Sequence, residues 1–349
     1  MNGTLGVMAP GIHTTVQDLG RVGYQALGVP SAGALDPVSL RLVNALVGNE
    51  PATAALEFLY QGPTLEVHAP SIRVAAAGSD IEILGEPPRR IPPWQSIRLT
   101  QGTRFRLLAP QRSACGYLAI QGGLALPSVL GSQSTYTRSR IGGFEGRALG
   151  AKDALPLVQP AAETRAEVRL SAPPDMAQPE RIRVVLGPQD AYFTEAAIAT
   201  FLADSFIVSK EADRMGLRLE GSVLTHARGY NIASDGIATG AIQVPGSGHP
   251  IIMLADHQTT GGYPKIATVI SADLPAVGRL RPGDTIRFRA ISTSEAEAAR
   301  RVLEADIKRR SRNLVPAIEV GMLNETALYA RNLVSGIVNA TDWSSEDSP

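Results

Sequence analysis

Apolar and polar residues alternate repeatedly through residues 64–120. Leu65-Glu66-Val67, Ile72-Arg73-Val74, Ile81-Glu82-Ile83, Ile97-Arg98-Leu99 and Phe105-Arg106-Leu107 all follow the pattern. A period of two sends successive side chains to opposite faces, so each run predicts a short strand with one face in a core and one in water. Gly, Pro and Asp separate the runs. Strands this short and this close predict an antiparallel barrel or sandwich, and the strand–helix alternation of a doubly wound sheet is missing.

Helices are few. Asp36 is placed to cap a helix that has Pro37 at its first position and ends at Gly48, with Leu42 and Leu46 on one face. Phe193, Ala197 and Phe201 mark a second helix. Ser294, Glu295, Ala296 and Glu297 read as a capping box opening a third, which closes on Lys308, Arg309, Arg310 and Arg312. Turns feeding strands recur around Gly102-Thr103, Lys152-Asp153 and Gly283-Asp284, a spacing compatible with two related β domains in tandem. The expected organisation is therefore mainly β: a β domain at 1–160, a linker at 161–181 in a Pro- and Ala-rich stretch, a second β domain with a helix at 182–312, and a tail at 313–349 that frays over 341–349.

The length of 349 residues suits two domains. Lys plus Arg equals Asp plus Glu, so no overall field gathers a polyanion, and neither nucleic acid nor an anionic membrane is an expected partner. Cys115 is the lone cysteine and lies in an apolar run, Ala114-Cys115-Gly116-Tyr117-Leu118. It reads as a buried core thiol in a chain expected in the reducing cytoplasm. The opening residues lack the charged and apolar regions of a signal peptide, and no apolar run approaches the ~20 residues of a membrane span.

Several chemistries are missing. There is no GxxxxGK[ST] phosphate loop and no GxSxG elbow. His249 and His257 flank an apolar run and, on a strand, stand about 26 Å apart, too far to share an ion. None of the four lysines, Lys152, Lys210, Lys265 and Lys308, has the context of a biotin acceptor.

Four glycine-rich polar segments remain. The first, Thr14-Thr15-Val16-Gln17-Asp18-Leu19-Gly20-Arg21, reads as a loop braced by an Asp18–Arg21 pair, or as Thr and Arg contacts to substrate or phosphate. The second, Ser31-Ala32-Gly33-Ala34-Leu35-Asp36, leads into the helix cap. In the third, Ile141-Gly142-Gly143-Phe144-Glu145-Gly146-Arg147, three glycines allow close backbone approach. The fourth joins Gly240-Ala241-Ile242-Gln243-Val244-Pro245 to Leu254-Ala255-Asp256-His257-Gln258-Thr259-Thr260-Gly261-Gly262-Tyr263-Pro264-Lys265. Backbone N–H groups in such a turn can form an anion nest, Lys265 can neutralise an oxyanion, and Asp256 can hold Mg²⁺ or steer a proton.

These segments, with Gly11-Ile12-His13, Ala55-Leu56-Glu57, Gly131-Ser132 and Asp213-Arg214-Met215-Gly216-Leu217-Arg218-Leu219, resemble one family over residues 5–290. It is the allophanate hydrolase subunit 2 family, also called the biotin-dependent carboxyltransferase family. Thr239 departs from its pattern, which carries proline there, and His249 and His257 stand where relatives often carry other residues.

The resemblance implies two cyclophilin-like β-barrel domains in tandem with a few short helices. It implies one component of an ATP-dependent 5-oxoprolinase that opens 5-oxo-L-proline to L-glutamate, with ATP and Mg²⁺ as cofactors. The implied partners are a protein of the subunit 1 type, the B-type component of such complexes, and a third, hydrolytic subunit. One alternative is a biotin-dependent carboxyltransferase acting on urea or a similar amide, with biotin on a separate carrier. Another is a partner-binding antagonist of a kinase inhibitor. The expected catalytic residues are Asp18, Arg21, Arg214, Asp256 and Lys265. The expected substrate contacts are Thr15, Gln17, Glu57, Glu145, Gln243, Gln258, Thr259, Thr260, Gly261, Gly262 and Tyr263, and no metal ligand is expected.

Overall fold

The structure, a computed structural model, describes residues 3–317. The expected fraying at 341–349 lies outside the described residues.

The N-terminal strands form two antiparallel sheets. Thr4–Ala9, Ala154–Pro156, Thr64–Val67, Arg104–Leu107, Ile81–Ile83 and Arg89–Ile91 make one of six strands. His13–Gln17, Ala55–Leu59, Cys115–Ile120, Ser71–Ala77 and Ser96–Thr100 make one of five. Consecutive strands switch between the sheets, as Ser71–Ala77 does before Ile81–Ile83, so the two sheets enclose one core of Leu5, Phe58, Leu65, Val74, Phe105 and Leu118.

Period two explains why Ser71–Ala77 and Cys115–Ile120 are buried along their whole length. Val74, Ala76, Leu118 and Ile120 face the core between the sheets. Ala75, Ala77, Tyr117 and Ala119 face a second core that begins under helix α1, Pro37–Val47. The helix is bounded as its sequence predicts. The Asp36 carboxylate accepts from the backbone N–H groups of Val38 and Ser39, and Gly48 closes it in the left-handed conformation. Leu42 and Leu46 are both fully buried, worth roughly 2 kcal/mol each.

The second core continues into the C-terminal half. Eight strands there run in the order Thr285–Ile286, Phe206–Val208, Gly216–Glu220, Ile251–Met253, Ala241–Gln243, Lys265–Val269, Ile182–Leu186 and Phe288–Ala290. The two edge strands are separated in the chain by Arg287 alone, so the sheet curls until its edges meet, a nearly closed barrel. Phe201 of helix α2, Glu195–Ala203, stacks on Phe288 at 4.4 Å inside it. Phe193, expected on this helix, precedes its Thr194 cap. Helix α3, Leu274–Gly278, returns toward helix α1, and Arg279 Nη1 bonds Asp36 at 2.7 Å.

The last helix, α4, spans Thr293–Arg312 and ends on the expected basic cluster. Its capping box is Ser292 with Glu295, not the expected 294–297 set. Both Ser-x-x-Glu spacings exist in the sequence, but a cap needs an extended backbone, and only Ser292 has it.

Residues 161–181, expected as a linker, are laid along the first domain by the buried Arg73, which bonds Glu167 and the carbonyls of Glu163 and Arg165. Val168–Leu170 pairs with Leu314–Pro316, which falls in the stretch expected as a tail.

Candidate functional site

One buried ionic network joins the two halves. Glu57 comes from the middle of Ala55–Leu59, Arg214 from the turn before Gly216–Glu220, and Asp256 from just beyond Ile251–Met253. Arg214 donates from Nε and Nη2 to the two Asp256 oxygens at 2.9 and 3.0 Å, and from Nη2 to the Gly33 carbonyl at 2.7 Å. Its Nη1 meets Glu57. The other Glu57 oxygen accepts from Leu35 N–H at 2.8 Å and from the Tyr117 hydroxyl at 2.5 Å. Tyr117 in turn accepts from Asp36 N–H at 2.8 Å.

Burial alone would lower the Arg214 pKa. The fields of Glu57 and Asp256 outweigh it and hold the guanidinium above its ordinary value. Burial, with Cys115 and Glu57 nearby, pushes the Tyr117 phenol well up, so it stays a donor.

Two cavities open beside this network. One, of about 210 Å³, is lined by His13, Tyr60, Arg138, Asp213, Arg214 and Asp256. The other, of about 280 Å³, is lined by Arg138, Asp213, Met215, Gln243, Gln258 and Tyr263. Arg138, Asp213 and Met215 belong to both, so the two make one cleft, crossed by an Arg138–Asp213 ion pair at 3.7 Å. Burial, then Arg214, lowers the His13 pKa. Its imidazole is therefore neutral at pH 7 and able to accept a proton.

The expected site residues divide between this cleft and its supports. Arg214, Asp256, Gln243, Gln258 and Tyr263 line the cleft, and Glu57 sits directly behind Arg214. Asp256 carries no free oxygen pair for Mg²⁺, because Arg214 takes both oxygens.

Asp18 is a staple. Its oxygens accept from Gly20 N–H at 2.8 Å, Ser132 Oγ at 2.7 Å, Ser134 Oγ at 2.5 Å and Gln133 N–H at 2.6 Å. The expected Asp18–Arg21 pair does not form, because these neutral donors fill the carboxylate. Arg21 is buried, with Nη2 on the Ser134 carbonyl at 2.5 Å and its Nε and Nη1 without partners. Gln17 bonds Thr15 and the Thr135 carbonyl. Gly142 has positive φ, and a Cβ there would fall 2.2 Å from the Ser134 carbonyl, so the third glycine segment braces this same loop.

Lys265, expected to neutralise an oxyanion, does not line the cleft. It is buried against Asp235 at 2.8 Å and the Gly236 carbonyl at 3.3 Å. Thr260 and Gly261 pair with Gly236 and Asp235 in a two-stranded ribbon, and the carbonyls of Thr259 and Gly262 accept from Ile237 and Ile232. Glu145 lies outside the cleft, paired with Arg147 at 2.7 Å. Sequence reasoning gave no role to His13, Tyr60, Arg138, Asp213 or Met215. Of these, only Arg138 and Tyr60 lay outside the motifs already singled out.

Two cyclophilin-like barrels with a cleft lined from both halves define the class of this protein. The chain belongs to the family described as carboxyltransferase domain, subdomain A and B, whose model matches residues 27–290.

It is 35% identical over 299 residues to the C-type subunit of the 5-oxoprolinase of Escherichia coli K12, covering 85% of this chain and 94% of that protein. It is 31% identical over 324 residues to the urea amidolyase of Saccharomyces cerevisiae, covering 86% of this chain and 17% of that one. The crystal structure of the Kluyveromyces lactis urea carboxylase superposes with a TM-score of 0.80 at 30% identity, over 92% of this chain and 31% of that chain. This chain thus spans only a minor part of the urea amidolyase and urea carboxylase chains. These relatives are enzymes or enzyme subunits. Among the described residues no group of three or more His, Cys, Asp or Glu could hold a metal ion, and no helix is long and apolar enough to cross a membrane.

Proposed function

We propose that the chain is one component of an ATP-dependent 5-oxoprolinase, which opens 5-oxo-L-proline to L-glutamate together with a B-type partner and a third, hydrolytic subunit. The observation that carries this is coverage. The likeness to the 5-oxoprolinase C-type subunit extends over 94% of that protein, whereas the urea amidolyase likeness takes in 17% of a far longer chain.

The cleft suits a small lactam carrying a carboxylate. Arg138 pairs with that carboxylate, and the amides of Gln243 and Gln258 bond the ring N–H and C=O. His13, neutral, accepts a proton at the cleft floor beside Arg214. ATP supplies the phosphoryl group that turns the lactam oxygen into a leaving group. Mg²⁺ finds no free carboxylate cluster in this cleft: Arg214 occupies both oxygens of Asp256, one Asp213 oxygen accepts from Met215 N–H and Gly216 N–H, and Glu211 pairs with Arg218 at 3.2 Å. On this reading the metal-bearing side of the nucleotide site belongs to a partner protein.

The test is ATP turnover dependent on 5-oxoproline in a reconstituted complex of all three proteins. Arg138→Ala raises KM for 5-oxoproline by about tenfold or more, as loss of a charge-assisted bond does. Absence of turnover in a verified complex overturns the reading. The likeness to the K. lactis urea carboxylase favours a second reading, biotin-dependent carboxyl transfer to urea. Transfer of labelled bicarbonate by the chain with a biotin carrier would establish it instead.

A further inference from the structure

Asp256 and Gln258 both line the cleft, and the residue between them, His257, has no exposed surface. Both of its ring nitrogens are engaged. Nδ1 lies 2.6 Å from the main-chain carbonyl oxygen of Gln258, and Nε2 lies 3.1 Å from the Thr239 hydroxyl. A carbonyl oxygen only accepts, so Nδ1 carries a proton and donates it. Burial lowers the pKa of the ring, so at pH 7 it is neutral and Nε2 keeps its lone pair. The Thr239 hydroxyl therefore donates to Nε2.

The ring thus ties two neighbouring segments together. Thr239 belongs to the segment leading into Ala241–Gln243, where Gly240 N–H donates to the Met253 carbonyl at 2.7 Å and Ile237 N–H to the Thr259 carbonyl at 2.9 Å. On the other segment Asp256 N–H donates to the Arg214 carbonyl at 2.9 Å, and Arg214 holds both Asp256 side-chain oxygens. Asp256 is therefore fixed without help from its neighbour. Gln258 is not. Its side chain is exposed, and among the described residues the His257 ring is the one donor to its carbonyl.

We infer that His257 is the positioning residue of Gln258: its Nδ1–H fixes the Gln258 peptide, and with it the direction in which the Gln258 amide enters the cleft. This rests on the function proposed above, in which that amide bonds the lactam. His257 touches no substrate. It acts through the carbonyl it holds, and Thr239 fixes which ring nitrogen does the holding. A side chain already set in its bound direction gives up less freedom when the ligand arrives, so the effect falls on substrate affinity.

Two substitutions separate the two ring contacts. Asn carries its amide nitrogen as many bonds from Cα as Nδ1, and Gln carries its own as many as Nε2. His257→Asn therefore keeps a donor for the Gln258 carbonyl. His257→Gln keeps a partner for Thr239 and loses that donor. The full chain is assembled with both partner proteins, and 5-oxoproline-dependent ATP turnover gives KM and kcat. His257→Gln raises KM about five- to tenfold, the scale of one lost hydrogen bond, with kcat within about twofold of wild type. His257→Asn restores KM to within about twofold. In the wild-type chain alone, NMR of the ring nitrogens at pH 7 finds His257 protonated on Nδ1 and bare on Nε2, a readout that needs neither partner nor substrate.

A ring protonated on Nε2 alone overturns the positioning role whatever the variants do. So does an unchanged KM in His257→Gln, or an equal rise in both variants, which would make the ring a packing group only. Absence of turnover by the wild-type complex overturns the function proposed above, and the ring tautomer then decides the His257 contact separately.

Discussion

Arg214 lies edge-on to Asp256, with Nε and Nη2 at 2.9 and 3.0 Å from its two oxygens, while its remaining nitrogen reaches Glu57 in the other barrel. One guanidinium from the C-terminal half thus pairs with a carboxylate from each half. Arg214→Met leaves both carboxylates buried and unpaired, and it destabilises the protein by about 3–5 kcal/mol. Arg214→Lys keeps the charge but loses the fork, and falls between. Urea denaturation measures both, and a methionine variant within about 1 kcal/mol of wild type would show the network to be dispensable.

Asp18 has its carboxylate filled by four donors from its own loop and from residues 132–134. Asp18→Asn sets an NH₂ group against donors that have nowhere else to turn, and costs about 2–3 kcal/mol. Because the staple also holds the 18–34 loop, the loss shows as a lower melting temperature. Unchanged stability combined with abolished turnover would instead mark Asp18 as a group that touches substrate.

His13 and His257 both have pKa values lowered from 6.5, chiefly by burial. In the unfolded chain each takes up its proton as pH falls past about 6.5, while the folded protein resists. Stability from this source is whole above that pH and is lost on further acidification through the lower folded values. The melting temperature therefore falls as pH is lowered below about 6.5, and His13→Gln makes the decline shallower. An identical pH profile for the variant would remove His13 from the account.

Burial, with Glu57 and Asp36 nearby, pushes the Cys115 thiol up to about 12. It is enclosed by strand Cys115–Ile120 and the Gly278 carbonyl. Iodoacetamide at pH 8 leaves the native protein unlabelled and labels it once in urea. Rapid native labelling would mean that the core under helix α1 opens.

The local grammar of the chain was readable residue by residue. Period-two runs between 64 and 120 became strands, Asp36-Pro37 and Gly48 bounded helix α1, and the run around Cys115 became a buried strand, because each depends on neighbours a few positions away. The capping box at Ser292 shows the limit even there, since two equal spacings compete and backbone conformation chooses.

The motifs likewise singled out Arg214, Asp256, Gln243, Gln258 and Tyr263, all of which meet in the cleft. What the motifs do not carry is direction. Asp18 and Lys265 look catalytic by type, yet one is filled by Ser132, Gln133, Ser134 and Gly20 and the other turned onto Asp235. Arg138 looks like any turn residue, yet it forms the wall shared by both halves of the cleft.

By itself the sequence determined the element types, the family and the set of polar loops, because these are written in local periodicity and short motifs. Tertiary structure alone decided which of those loop residues face the cleft and which brace it. A side chain's role is set by the donors and acceptors around it, and here these come from positions more than one hundred residues away in the chain, as Ser134 does for Asp18 and Glu57 for Arg214.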